Sequence, residues 1–300
     1  MANVVINKLV IIGVGLIGGS FALALRRAGL VRHIVGMGRS RENLQRARDL
    51  GVIDEIAVDL ALALKGADLV LLAMPVGQIG KIMAQIAPHL EAKTIVTDAG
   101  STKQDVAAAA RSFLAGHLQN FVPGHPIAGT ELSGVTAASA DLFREKNLVL
   151  TPLDETSVEA VTKVTELWQG CGAHVSQMRA DRHDAILAAI SHLPHVLAFT
   201  LMNHVCTGTE DNPGDLLRFA GSGFRDFTRI AGSSPEMWRD ICLANRESLL
   251  MQIDAYQNEL TNLREMLARS DGQALEKTFA DARNARQRWL QDKSSAFRCM

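Results

Sequence analysis

Residues 10–18 read Val-Ile-Ile-Gly-Val-Gly-Leu-Ile-Gly. An apolar run meets G-x-G-x-x-G and passes at once into a helix-forming stretch, and this limits the fold more than any other feature. Gly13 permits the tight turn after a strand. Gly15 lets the backbone approach a pyrophosphate, and Gly18 lets helix and strand pack closely. Leu16 and Ile17 complete the loop, and the helix N-terminus faces the phosphates. The motif is weak alone, but here it has a strand before it and a helix after it. It points to a dinucleotide-binding βαβ unit.

The rest of the first half agrees. Short apolar runs at Leu9–Ile12, Ile34–Gly36, Leu69–Ala73, Thr94–Asp98, Phe121–Gly124 and Asn147–Thr151 read as strands. Helical stretches lie between them at 18–28, 41–50, 76–90 and 104–114. Such alternation implies a mostly parallel sheet covered on both faces. After about residue 177 the pattern turns helical, at 180–206 (with Pro194 inside), 234–267 and 273–292. The expected fold is an α/β Rossmann-like domain over 1–177 and an all-α domain over 178–300. Residues 9–25 are uncharged and apolar enough to resemble a short membrane span. The patterned glycines and the lack of a basic flank argue instead for the glycine loop.

Charge is balanced, with 31 Lys and Arg against 32 Asp and Glu, and aromatics make up 5% of the chain. Neither a nucleic-acid surface nor a membrane partner is expected. Cys171, Cys206, Cys242 and Cys299 are far apart and lack metal spacing. That suggests free thiols in a reducing, cytoplasmic compartment and no metal site.

The second strand of such a unit normally ends in an acid that binds the ribose hydroxyls of NAD. Here Gly38 stands in that place, followed by Arg39, Ser40 and Arg41. A guanidinium and a hydroxyl suit a 2′-phosphate, so NADP is favoured over NAD. Two solvated arginines at a helix start are the alternative.

Further chemistry lies at the carboxyl ends of later strands, where ligands of parallel sheets sit. Met74-Pro75 follows the third long strand. Asp98-Ala99-Gly100-Ser101-Thr102-Lys103 follows the next. Then come Pro123-Gly124-His125-Pro126-Ile127-Ala128-Gly129-Thr130-Glu131. A His between Gly and Pro has a constrained backbone and a fixed side-chain direction, which suits catalysis. In the helical half, Asp181-Arg182-His183-Asp184 opens a helix, and Ser191-His192-Leu193-Pro194-His195 puts two imidazoles on one face. Gly221-Ser222-Gly223-Phe224-Arg225-Asp226-Phe227-Thr228-Arg229 joins a flexible loop to arginines able to hold an anion.

Together these segments, with Met237-Trp238-Arg239-Asp240, resemble the prephenate/arogenate (cyclohexadienyl) dehydrogenases over nearly the whole chain, in order. The resemblance implies tyrosine biosynthesis by oxidative decarboxylation of a cyclohexadienyl acid, with hydride transfer to NAD(P). It implies that His125 deprotonates the 4-hydroxyl and that Ser101 orients His125 and the nicotinamide. Arg229 would hold the ring carboxylate. His195 would contact the substrate side chain, with Thr130 and Glu131 lining the pocket. A homodimer through the helical half is implied, in which Ser222 and Trp238 reach the neighbouring site. Neither a chorismate mutase segment nor a regulatory domain is expected. Two other readings compete. A β-hydroxyacid or 6-phosphogluconate-type dehydrogenase would need a lysine base in the helical half, and none lies between Lys163 and Lys277. A non-catalytic dinucleotide sensor would have no use for His125, Ser101 and Arg229 together.

Overall fold

The computed structural model describes residues 5–130, 132–207 and 216–296. Six parallel strands form the main sheet in the order β3-β2-β1-β4-β5-β6. They are β1 (Ile6–Ile12), β2 (Val31–Met37), β3 (Glu55–Ile56), β4 (Leu69–Leu72), β5 (Ile95–Asp98) and β6 (Phe121–Val122). Helices α1 (Leu16–Arg27), α2 (Arg41–Asp49), α3 (Leu60–Leu64), α4 (Ile79–Ile86) and α5 (Gln104–Phe113) connect them.

Strand period decides which face each side chain covers. Leu9 and Ile11 of β1 and Leu69 and Leu71 of β4 enter one core, with Phe21, Phe143 and Trp168. Val10 and Ile12 of β1 and Val70 and Leu72 of β4 enter the other, with Met83, Ile86 and Phe121. Both faces are therefore buried, as continuous apolar runs require. Trp168 packs at a tilt on Phe21, ring centroids 4.4 Å apart, and meets Phe143 edge-on at 4.9 Å. Each such side chain contributes about 1.5–3 kcal/mol by leaving water.

Strand order reverses between β1 and β4, the point where such sheets bind ligands. The glycine loop and Met74-Pro75 lie side by side there. Gly13 has φ +102°, and a Cβ on it would sit 2.5 Å from the Ala73 carbonyl oxygen. A Cβ on Gly18 would lie 2.4 Å from the Gly13 carbonyl oxygen. The stretch 9–25 is thus strand, turn and helix of the sheet.

A second, three-stranded sheet was not legible in the sequence. It runs β7 (Gly124–Pro126), β8 (Asn147–Leu150), β9 (His174–Gln177), with β7 antiparallel to β8 and β9 parallel to it. Helix α6 (Val158–Gly170) precedes β9, and Ser157 caps it by accepting from the Ala160 amide. His125 is therefore a strand residue, opposite Val149.

The helical run at 180–207 is α7 (Ala180–Leu187), a π-helical turn at Ala188–His192, and α8 (Leu193–Thr207). The wide turn ends two residues before Pro194, whose ring crowds the preceding turn of a regular helix. By length and composition this run could cross a membrane, yet it carries the buried polar residues His183, Asp184 and His192. Helices α9 (Ser222–Thr228) and α10 (Pro235–Ala244) follow. The helix expected over 234–267 breaks at Asn245, and α11 (Arg246–Ala268) begins beyond it. The chain divides into two compact units, residues 1–249 and 250–300. The second contains most of α11 and α12 (Gly272–Ala296), whose residues line a shared groove.

Candidate active site

Two cavities open at the switch point. One, of about 490 Å³, is lined by Gly13, Val14 and Gly15, by Met37–Ser40 and Asn43, and by Ala73–Pro75. The other, of about 410 Å³, shares Gly15, Met74 and Pro75 and continues to Ser101, His125 and Thr130. Leu16 and Ile17 line it too.

The first cavity is built largely from backbone. A Cβ on Gly15 would meet nothing within 4 Å, so the peptide presents a bare face to open space. That open cradle at a helix start fits a dinucleotide pyrophosphate. Gly18 instead packs against Gly13, Ile11 and Ala73. Among the described residues, no carboxylate lines the cavity. Arg39 does, with an ion pair to Glu236 at 3.8 Å. Ser40 lines it while its hydroxyl caps α2 by accepting from the Asn43 amide at 3.1 Å. Arg41 faces a separate surface groove with Glu42 and Gln45. Asn43, which sequence reasoning passed over, donates to the Val14 carbonyl at 2.7 Å and so ties α2 to the glycine loop.

The second cavity rests on charged side chains. Asp98 and Lys103 are fully buried and ion-paired. Asp98 also accepts from the amides of Gly100 (2.7 Å) and Gly124 (3.1 Å). Lys103 Nζ donates to the Gly124 carbonyl at 2.9 Å. The pair thus joins the Ser101 loop to the strand that carries His125.

His125 Nδ1 lies 2.9 Å from His183 Nε2, and His183 Nδ1 lies 2.7 Å from Asp184 Oδ1. Asp184 also accepts the backbone amides of Lys103 and Gln104 at 2.8 and 2.9 Å. A carboxylate only accepts, so His183 Nδ1 carries the proton and its Nε2 accepts. His125 then donates from Nδ1, and its Nε2 keeps a free lone pair. Burial pushes the His125 pKa well below its ordinary value, aided by the nearby charges of His183, Lys103 and His192. His125 is a neutral base at neutral pH.

Beyond it, Asn245 Nδ2 donates to the Asp184 carbonyl (2.8 Å) and to His192 Nδ1 (3.1 Å). Burial lowers His192 to about 4. His195 stacks on Trp238 at 3.7 Å and donates from Nδ1 to the Ser191 carbonyl at 2.9 Å. Burial lowers its pKa as well, and the charge of Arg229 adds to this.

His125, Ser101, Thr130, Leu16, Ile17, Met74 and Pro75 therefore share one cavity. His195 and Trp238 form a stacked pair, and neither they nor Arg229 line either cavity. Trp238 is 7% exposed, and its ring is packed against His195 and His192 of its own chain. Ser222 is exposed at the start of α9 and lines neither cavity. Glu131 lies outside the described residues. Sequence reasoning noted His183 and Asp184 only as a helix start. A His-Asp pair opening an otherwise apolar helix was the available signal.

Residues 21–177 match the family model for the prephenate dehydrogenase nucleotide-binding domain, and residues 179–281 match that for the prephenate dehydrogenase dimerization domain. A cyclohexadienyl dehydrogenase of Zymomonas mobilis is 36% identical over 94% of this chain and 96% of its own length. A prephenate dehydrogenase of Bacillus subtilis is 38% identical over 93% of this chain and 75% of its own. The crystal structure of prephenate dehydrogenase from Aquifex aeolicus with hydroxyphenyl propionate and NAD+ superposes with a TM-score of 0.88. It is 36% identical and covers 94% of this chain and 97% of that one. With two family models spanning most of its length and a base set beside a dinucleotide cradle, the chain belongs to the prephenate dehydrogenase family.

Proposed function

We propose that this protein oxidatively decarboxylates prephenate and/or arogenate, with hydride transfer to a nicotinamide dinucleotide, in tyrosine biosynthesis. The observation that carries the reading is the free Nε2 lone pair of His125 in the cavity that continues from the glycine loop. Neither competing reading is favoured by the family match.

A bound nicotinamide supplies the hydride acceptor. Gly13 and Gly15 would hold its pyrophosphate, and Met74 and Pro75 line both cavities. His125 Nε2 takes the proton of the 4-hydroxyl. The C4 hydrogen leaves with its electron pair, and the electrons of the ring–carboxylate bond complete the aromatic ring as CO₂ departs. Ser101 and Thr130 face the reacting ring. Arg229 binds a substrate carboxylate and His195 the side chain.

NADP is the preferred cofactor in this reading. Its support is the absence of a carboxylate from the cavity lining, among the described residues, and the presence of Arg39 and Ser40 there. The proposed division is a dinucleotide domain over 1–177 and a helical domain over 178–300 that forms a homodimer in the cytoplasm. Exposed apolar side chains in the second unit, among them Met251, Leu260, Leu267 and Phe279, support the dimer.

Steady-state assays of both acids against both cofactors test the assignment directly. His125→Asn should lower kcat by about 10²–10⁴, the usual scale for a general base. Unchanged kcat would remove His125 from the mechanism. Arg39→Ala should raise KM for NADP and leave that for NAD alone. Higher kcat/KM with NAD in the unaltered enzyme would overturn the cofactor preference.

A further inference from the structure

We propose that His183 is a second station for the substrate proton, making the base of this enzyme a two-imidazole relay that ends on Asp184. This rests on the reading of His125 as the base. The geometry is continuous: 2.9 Å from His125 Nδ1 to His183 Nε2, then 2.7 Å from His183 Nδ1 to Asp184 Oδ1. Both links are ordinary hydrogen-bond lengths.

The step balances as follows. The substrate O–H bond breaks and a bond forms from that proton to His125 Nε2. The His125 Nδ1–H bond breaks and the proton joins His183 Nε2. His183 keeps its Nδ1 proton on Asp184. His125 ends neutral, and the positive charge ends on His183 against a carboxylate. Hydride departure is the oxidation already assigned to the nicotinamide, so the relay needs no further reactant.

The surroundings favour the second station over the first. Burial and the Lys103 charge oppose a cation on His125. Lys103 is itself paired with Asp98. His183 has no solvent exposure, yet it has a carboxylate partner whose lone pairs are ordered by two backbone amides. Asp105 on α5 adds a carboxyl near Lys103 and Asp184, its pKa raised by burial. His192, neutral at pH 7 and held by Asn245, completes the ring of titratable groups. An imidazolium between His125 and Asp184 would be paired directly with a carboxylate, as Lys103 is with Asp98. His183 and Asp184 act through His125 and are positioning residues.

The test is a proton inventory, kcat measured across mixtures of H₂O and D₂O. The unaltered enzyme should give a bowed plot, because two protons move together. His183→Gln keeps an oxygen to accept from His125 Nδ1 and an amide to donate to Asp184, but it cannot take up a proton. It should lower kcat by about tenfold, less than the 10²–10⁴ for losing the base itself. Its inventory should be linear, with KM for both substrates within about threefold. A linear inventory in the unaltered enzyme overturns the relay. Should His183→Gln not fold, ¹⁵N-histidine NMR of the unaltered enzyme decides: Nδ1-protonated tautomers at His125 and His183 support the relay, and an Nε2-protonated His183 overturns it. His125→Asn separates the two ideas. An active His125→Asn defeats the base assignment. An inactive one, with a linear inventory in the unaltered enzyme, defeats the relay alone.

Discussion

The two cavities at the switch point are neighbours made in opposite ways. The dinucleotide cradle draws on three short stretches at adjacent strand ends, and its key surface is bare backbone at Gly15. The His125 cluster draws on Asp98, Lys103, His183, Asp184, His192 and Asn245, which come from several elements far apart in the chain and are all buried. Backbone recognition needs space and a helix start. A base that works away from water needs every buried charge to have a partner. The first is tolerant of neighbouring side chains, and the second is not.

The sharpest way to break this contrast is Lys103→Met. It leaves Asp98 buried with only the Gly100 and Gly124 amides. Removing one partner of a buried pair costs about 3–5 kcal/mol, read as a lowered urea midpoint. Losing the Lys103 charge also lifts one of the influences that depress His125, so the acid limb of kcat/KM should move to higher pH. A variant as stable as the parent would show that the cluster does not depend on the pair.

His192 gives the next effect. Its pKa falls from 6.5 to about 4 on burial, so between those values the unfolded chain binds more protons than the folded one. Its contribution is complete above pH 6.5 and is lost as pH drops toward 4, up to about 3 kcal/mol. His192→Gln, which can still accept from Asn245, should flatten this acid limb of stability. An unchanged limb would assign it to other groups.

Glycine substitutions probe the cradle. Gly15 has φ −109° and open space at its Cβ, so Gly15→Val should keep the thermal midpoint and weaken dinucleotide binding about tenfold or more. Gly18→Ala puts a Cβ 2.4 Å from a backbone oxygen and should lower the midpoint instead. If both variants behaved alike, the distinction between a ligand-facing and a packing glycine would fail.

The same contrast explains what could be read from the sequence. The glycine loop, the alternating strands and the Gly38-Arg39-Ser40 strand end are local, and local pattern specifies them. His125 was visible because Gly and Pro flank it. Its partners were not, because a hydrogen bond from β7 to α7 joins residues 58 positions apart, and periodicity carries no information at that range. The second sheet escaped notice because β7 is three residues long and β9 is half exposed. The contact of Trp238 with His195 was not legible because only the folded chain shows that its ring covers His195. Asn245 was absorbed into one continuous helix expected over 234–267, and it proves to be the link between Asp184 and His192.

Arg229 gives the smallest effect. It lines neither cavity, yet its charge reaches His195, so it can meet a carboxylate that enters from the helical side. Such a contact is equally strong in the bound substrate and in the transition state, and uniform binding of this sort changes KM rather than kcat. Arg229→Ala should raise KM for the acid substrate about tenfold, the scale of one charge-assisted hydrogen bond, with kcat within about threefold. Because the Arg229 charge also opposes protonation of His195, the variant should bind substrate with a pH dependence shifted to higher pH. A fall in kcat at constant KM would instead place Arg229 among the groups that act only in the transition state.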